Sequence, residues 1–376
     1  MPTSIAVLRE TQPSERRVAL TPEVAKKLKS RGASLVAEHG AGEPASFPNA
    51  AYKDVEFADA AEVASRADVL LVVQPPTLQT IGRLKSGTVV IGLLQPHLAP
   101  ERTRALRDRS ITTFALELLP RTTRAQAMDV LSSQAAVAGY KAVLIAAEAS
   151  PKFFPMLTTA AGTIRPSKVL VVGAGVAGLQ AIATARRLGA QVEGFDVRPE
   201  TREQIESLGA KFLDLGVSAA GSGGYARELT TEERAAQQVA LAEHLKTVDV
   251  VVTTAAVPGR KAPRIVTAAM VEGMRPGAVI VDIAAETGGN CELTRAGETV
   301  RHGGVAIVGP VNLPASAPIH ASEMYSRNLY NFLELSLKDG ALTLDWDDEL
   351  IAKTCITHAG AIRHEPTKQL VEGTMP

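Results

Sequence analysis

Residues 168–198 read KVLVVGAGVAGLQAIATARRLGAQVEGFDVR, and this stretch decides the fold. Gly173, Gly175 and Gly178 stand in GxGxxG spacing. Spacing alone is a weak signal, but here the flanks agree with it. An apolar strand from Val169 to Val172 runs into Gly173, a helix is expected from about Val176 to Leu188 with Gly189 as its stop, and a second strand ends at Asp196. The three glycines serve different ends. Gly173 permits a tight turn, Gly175 lets the backbone approach a diphosphate, and Gly178 lets the helix pack closely on the strand. The helix start offers unpaired N–H groups and a partial positive charge to an anion. Asp196, followed by Val197 and Arg198, lies where a carboxylate accepts hydrogen bonds from adenosine ribose hydroxyls and repels a 2′-phosphate. The stretch therefore predicts an NAD(H)-binding Rossmann unit, against a Rossmann fold that binds nothing. Arg198 leaves open a contact with a phosphate.

Outward from this core, 376 residues exceed one compact core and suit two domains. The 40 basic and 40 acidic side chains balance, so no global field favours nucleic acid or an anionic membrane. The two cysteines, Cys291 and Cys355, form no CxxC or zinc-type cluster, which predicts buried thiols, no bound metal and a reducing compartment. The opening MPTSIAVLRE is charged and has no apolar core, so no signal peptide is expected. Apolar stretches such as residues 248–257 fall well short of the roughly 20 residues that span a bilayer, and no crossing is expected.

The first third alternates strand-like runs (SIAVL, ASLVAEHG, ADVLLVV, GTVVIGLL, SITTFALEL) with helical patterns. TPEVAKKLKSRG predicts a helix with Thr21 as N-cap, Pro22 at its first position and Gly32 as its stop. Residues 131–150 predict one long helix bridging two domains, and QVEGFD, VDVVVTT, GAVIVDI and VAIVG continue the strands of the second. A helical run at SEMYSRNLYNFLELSL is expected to pack on the first domain, and the Gly/Ser-rich residues 215–230 predict a mobile loop. The expected fold is α/β, two Rossmann-like domains with mostly parallel, doubly wound sheets. The expected domains are residues 1–132 with 312–376, and residues 133–311.

Four stretches carry a family resemblance: MPTSIAVLRETQPSERRVALTPEVAKKL, RTTRAQAMDVLSSQAAVAGYKAV, VLVVGAGVAGLQAIATARRLGA and VIVDIAAETGGNCE. Together they resemble the alanine dehydrogenase and transhydrogenase superfamily over nearly the whole chain. ELLPRTTRAQAMDVLSSQ is similar to the NAD(H)-binding alpha subunits of proton-translocating transhydrogenases, of the Si-specific kind. The resemblance implies that Arg121, Gln126, Asp129 and Ser132 meet the nicotinamide end of NAD(H). It implies that Gly224 and Tyr225 belong to a loop closing over the adenosine, and that Val176, Gln237 and Ala256 contact the cofactor. It also implies NADP(H) as co-substrate on a partner subunit, membrane-spanning partners that carry the proton, a homodimer, and a peripheral place on the cytoplasmic face of the membrane.

The chemistry separates two enzymes. Transhydrogenation moves a hydride between two nicotinamide C4 atoms with no proton, so it needs orientation of rings about 3–3.5 Å apart. Amino-acid oxidation needs proton transfers at the reacting carbon. The resemblance implies a lysine in alanine dehydrogenases where Gln74 stands here, an aspartate at Glu286 and a histidine at Leu93. Arg17 suits either enzyme. Alanine dehydrogenase and a non-catalytic NAD-sensing module stay as alternatives. Without the resemblance, Arg121 and Asp129 suit a solvated ion pair, Ser132 suits a plain helix N-cap, and Tyr225 an exposed loop aromatic. His97 reads as a strand-end histidine bonded to backbone, and Asp282 and Glu286 as strand-end groups near a cleft.

Overall fold

The structure is a computed structural model, and it describes residues 2–216, 218–219, 227, 229–256 and 261–373. The β-branched runs become strands and the amphipathic segments between them helices. First come β1 (Ser4–Val7), α1 (Pro22–Ser30), β2 (Ser34–Glu38), β3 (Glu56–Ala58), α2 (Ala60–Arg66), β4 (Val69–Val72), α3 (Leu78–Arg83), β5 (Val89–Gly92), α4 (Pro100–Asp108), β6 (Thr112–Ala115) and α5 (Val130–Ala149). A hairpin, β7 (Leu157–Thr159) and β8 (Gly162–Ile164), precedes β9 (Lys168–Val172), α6 (Val176–Arg187), β10 (Gln191–Phe195), α7 (Thr201–Ser207) and β11 (Lys211–Phe212). Then follow α8 (Thr231–Leu245), β12 (Val250–Thr253), α9 (Ala268–Glu272), β13 (Val279–Asp282), β14 (Thr299–His302) and β15 (Val305–Val308). The last stretch holds α10 (Pro318–Leu333), β16 (Leu337–Lys338), β17 (Ala341–Leu342), α11 (Glu349–Thr354), β18 (Cys355–His358), β19 (Ala361–Ile362) and α12 (Glu365–Glu372).

The chain divides into two compact units, Met1–Gln134 with Pro314–Pro376, and Ala135–Leu313. In the first, the strand order is β19-β18-β6-β5-β4-β1-β2-β3. β1 to β6 are mutually parallel, while β18 and β19 run antiparallel. Alternate side chains leave opposite faces of a strand, and here both faces are covered. Ile5, Leu71 and Ile91 pack with Leu28 of α1 and with Leu329 and Phe332 of α10. Ala6, Leu70 and Val90 pack with Val63 of α2, Ile81 of α3 and Leu106 of α4. Burial on both faces is why these strands read as unbroken apolar runs.

The second unit repeats the design, with strand order β11-β10-β9-β12-β13-β15-β14 and only β14 antiparallel. Val169, Val171 and Val250 pack with Val143 of α5 and Ile182 of α6, whereas Leu170, Val172 and Val251 pack with Leu241 of α8 and Val271 of α9. The fold is α/β, with two mostly parallel, doubly wound sheets.

Several elements differ from expectation. β3, in the charged stretch YKDVEFAD, gave no strand signal. The SITTFALEL strand stops at Ala115, because Leu116–Leu118 close into a 3-10 turn. Thr21 stands at the N-cap of α1, but its hydroxyl makes no capping bond. α5 corrects the expectation about apolar length. Its 20 residues are long and apolar enough to cross a membrane by length and composition, and Val137, Ala142, Val143 and Ala146 on it are buried within protein.

Candidate dinucleotide site

In the second sheet the chain runs outward from β9 through β10 to β11, then returns to the other side of β9 as β12. This reversal is the topological switch point, and α/β sheets bind ligands at the carboxyl ends of the strands flanking it. β9 ends in Gly173, whose φ of +96° is strained for any side-chain-bearing residue. A Cβ there would lie 2.6 Å from Thr254 Oγ1. Gly175 is the N-cap of α6, and a Cβ at that position would meet nothing within 4 Å, so its backbone faces open space. Gly178 has the opposite surroundings, since its Cβ would fall 1.8 Å from the Gly173 carbonyl oxygen. The helix is thus pressed onto the turn on one side and left open at its N-terminus. Its first turn holds no acidic residue. An open turn, a flush helix and an unopposed positive helix end fit a diphosphate.

Asp196 follows β10 and is buried. Its Oδ2 accepts from the Ala174 amide at 2.7 Å, which ties the carboxylate to the glycine turn. Arg198 donates from its backbone N–H and Nε to Oδ1, each at 2.9 Å, and from Nη2 to Oδ2 at 2.7 Å. Burial resists ionisation of Asp196, yet the Arg198 and Ala174 bonds hold its carboxyl below the usual range. Val197 packs half-buried against the β-sheet core, and Val176 opens α6 at 44% exposure.

The carboxyl end of β12 completes the crevice with residues the sequence did not single out. The Thr254 hydroxyl donates to the Gly173 carbonyl at 3.0 Å. Asn290, fully buried, accepts from the Ala255 amide at 3.0 Å and donates to the Ala255 carbonyl at 2.7 Å and the Pro263 carbonyl at 2.8 Å. Ala256 follows, exposed. Gln237 is buried on α8. Gly224 and Tyr225 lie outside the described residues, as does much of the expected 215–230 loop. Asp282 is structural: it accepts from the Ala284 and Cys291 amides and the Thr294 hydroxyl. Glu286 is exposed and accepts from the Asn312 amide at 3.3 Å.

Arg121, Gln126, Asp129 and Ser132 all belong to the first unit. Arg121 and Gln126 are exposed, the latter on a 3-10 turn, Thr123–Met128, that Asn328 and Asn331 of α10 hold by donating to the Ala127 carbonyl. Ser132 is not the N-cap it was expected to be. α5 starts at Val130, so Asp129 caps it, accepting from the Ser132 amide at 2.9 Å and the Ser132 hydroxyl at 2.6 Å.

The first unit has its own switch point, between β1 and β4, and the chain's own side chains bond across it. The Glu10 carboxylate accepts from the Val73 and Gln74 amides at 2.6 and 3.2 Å. Gln74 Nε2 donates to Glu15 at 2.7 Å, and Glu15 holds Arg17 through two further bonds. Arg17 also donates to Gln134 Oε1 at 2.8 Å. Burial pushes the Glu10 carboxyl up to about 8. Burial also opposes ionisation of Glu15, but the Arg17 guanidinium holds it down at about 2. Leu93 supplies its amide to the Tyr325 hydroxyl. His97, expected at a strand end, is exposed on the following turn, because β5 already ends at Gly92. Both cysteines are buried free thiols, and among the described residues no cluster of three or more His, Cys, Asp or Glu side chains is arranged to hold a metal ion.

Residues 6–138 match the model of the N-terminal domain of alanine dehydrogenase/PNT, and residues 142–365 match that of its C-terminal domain. The chain belongs to the alanine dehydrogenase/PNT family. Within this family it is 44% identical to the first of the separately encoded pieces of NAD(P) transhydrogenase subunit alpha in Rickettsia prowazekii, across 95% of each chain. A solved transhydrogenase structure from Sinorhizobium meliloti superposes with a TM-score of 0.87 at 46% identity, covering 96% of this chain and 99% of that one. The alanine dehydrogenase of Mycobacterium tuberculosis is 30% identical, over 96% of this chain and 95% of its own. The family is one of oxidoreductases, and this member stands nearer to the transhydrogenase subunits than to that dehydrogenase.

Proposed function

We propose that this chain is the NAD(H)-binding subunit of a proton-translocating transhydrogenase, passing hydride from NADH to NADP⁺ held on a partner subunit. The observation that carries the reading is the Gly173–Gly178 turn, open at Gly175 and flush at Gly178, beside the buried Asp196. The dinucleotide, when bound, supplies the hydride chemistry. The chain's residues bind and orient. Amides at the start of α6 hold the diphosphate, Asp196 takes the adenosine ribose with Val197 and Arg198 at its side, and Val176, Ala256, Gln237, Gly224 and Tyr225 complete the cofactor contacts. Arg121, Gln126, Asp129 and Ser132 hold the nicotinamide end in register for transfer. None is needed as an acid or base, since no proton moves with the hydride.

Against alanine oxidation stand Gln74, already bonded to Glu15, and Leu93. Separate membrane-spanning subunits would carry the proton and bind NADP(H), with this chain peripheral on the cytoplasmic face. By linkage, proton flow would change the partner's NADP(H) affinity and so drive the transfer. A homodimer is included in the proposal. Residues 153–164 carry no charge, and Phe153, Met156, Leu157 and Ile164 are 56, 64, 40 and 45% exposed. A two-stranded ribbon such as β7–β8 is marginal alone in water, which supports a copy-to-copy contact there.

Titration calorimetry of the purified chain tests the binding half: NADH is expected to bind well ahead of NADPH, and equal affinities would contradict the assignment of Asp196. Gln126→Asn tests the other half. It should slow hydride transfer far more than it weakens NADH binding, and a loss confined to affinity would make the loop a simple binding contact.

A further inference from the structure

The first turn of α6 is fixed from two sides. On one, Gly178 lies against the glycine turn. On the other, Gly139 of α5 lies against Ala177, so that a Cβ on Gly139 would fall 2.1 Å from the Ala177 carbonyl oxygen and 2.9 Å from its carbonyl carbon. Both neighbours are backbone, so no rotamer change makes room. Restoring an ordinary 3.4 Å contact from 2.1 Å needs a displacement of about 1.3 Å, between α5 and the helix start. Glycine in a helix interior is unfavourable relative to alanine. Ala135, Ala136, Ala138 and Ala142 surround this one on α5. Close approach of two backbones accounts for the exception.

We propose that Gly139 is a positioning residue for the diphosphate subsite: by admitting α5 against Ala177, it sets where the N-terminal amides of α6 stand. This rests on the dinucleotide reading above. Hydrogen bonds from those amides need donor–acceptor distances of 2.7–3.2 Å, so a shift of about 1 Å removes them. The ribose subsite is carried by β10 and Asp196 rather than by the start of α6, and it should survive.

The test compares the full chain with Gly139→Ala and with Gly82→Ala, a helical glycine whose Cβ would meet nothing within 4 Å. Affinities for NADH, ADP and adenosine are measured by calorimetry and ligand-observed NMR. Gly139→Ala should weaken NADH and ADP at least tenfold while adenosine changes less than twofold, and Gly82→Ala should change none of them. Unaltered ADP affinity in Gly139→Ala, or an equal loss for adenosine, would overturn the proposal. A measurement on the unaltered chain covers the case in which Gly139→Ala does not fold. ADP, but not adenosine, should slow amide exchange at 137–141 of α5 together with the first turn of α6, and exchange unchanged at 137–141 would overturn the proposal. Failure of the unaltered chain to bind NADH would instead overturn the dinucleotide reading, and the role of Gly139 with it.

Discussion

At the scale of single residues, charge pairing determines what Asp196 and Glu10 can do. Asp196 is held by Arg198 from both oxygens and by the Ala174 amide, so it anchors the glycine turn as well as awaiting a ribose. Asp196→Ala should weaken NADH at least tenfold. It also releases the Arg198 fork, so NADPH should lose less, and equal losses for both nucleotides would contradict this account. Glu10 gives a pH signature. Its carboxyl, pushed up to about 8 by burial, keeps its proton in the folded state where an unfolded chain has lost it. Its stabilising contribution is complete below the ordinary carboxyl value and is lost as pH rises toward about 8, on the order of a few kcal/mol. Glu15, held near 2, contributes the reverse: its share is present above the ordinary value and lost only in acid. Urea unfolding of the chain and of Glu10→Gln, from pH 5 to 8.5, should show the parent losing stability relative to the variant. A constant difference would show that Glu10 does not stay protonated.

At the scale of elements, the sequence was most legible where one segment carries the whole signal. The strand, turn and helix from Lys168 to Arg187 are local, and the role of each glycine could be read from spacing. Thr254 and Asn290 were not legible, because they reach the turn from β12 and from beyond β13, and only the sheet order makes them neighbours. The cap of α5 was misassigned for a local reason. Asp129 and Ser132 are both good capping residues, and the helix start at Val130 decides between them. Asp129→Ala should therefore cost about 1 kcal/mol of stability, with Ser132→Ala costing less. Thermal unfolding checks this, and a larger loss for Ser132→Ala would restore Ser132 as the cap. The bonds of Glu10, Glu15, Arg17 and Gln74 across the first unit's switch point were likewise hidden, since nothing in ETQPSERR says its carboxylates turn inward.

At the scale of the whole molecule, two sheets share one winding but differ at their switch points. In the first unit Glu10 accepts from the Val73 and Gln74 amides across the gap, while in the second Gly175 faces open space. That difference assigns the nucleotide to the second unit. If copies associate through the uncharged β7–β8 ribbon, Leu157→Asp with Ile164→Asp should convert a dimer to a monomer in sedimentation. A dimer that persists would move the contact elsewhere. The most direct measurement of the central claim is turnover by the purified chain, with NADH and an NADP⁺ analogue, in the presence and absence of an NADP(H)-binding transhydrogenase subunit, with L-alanine plus NAD⁺ as control. The account predicts hydride transfer only when the partner is added. NADH formation from alanine by the chain alone would contradict it.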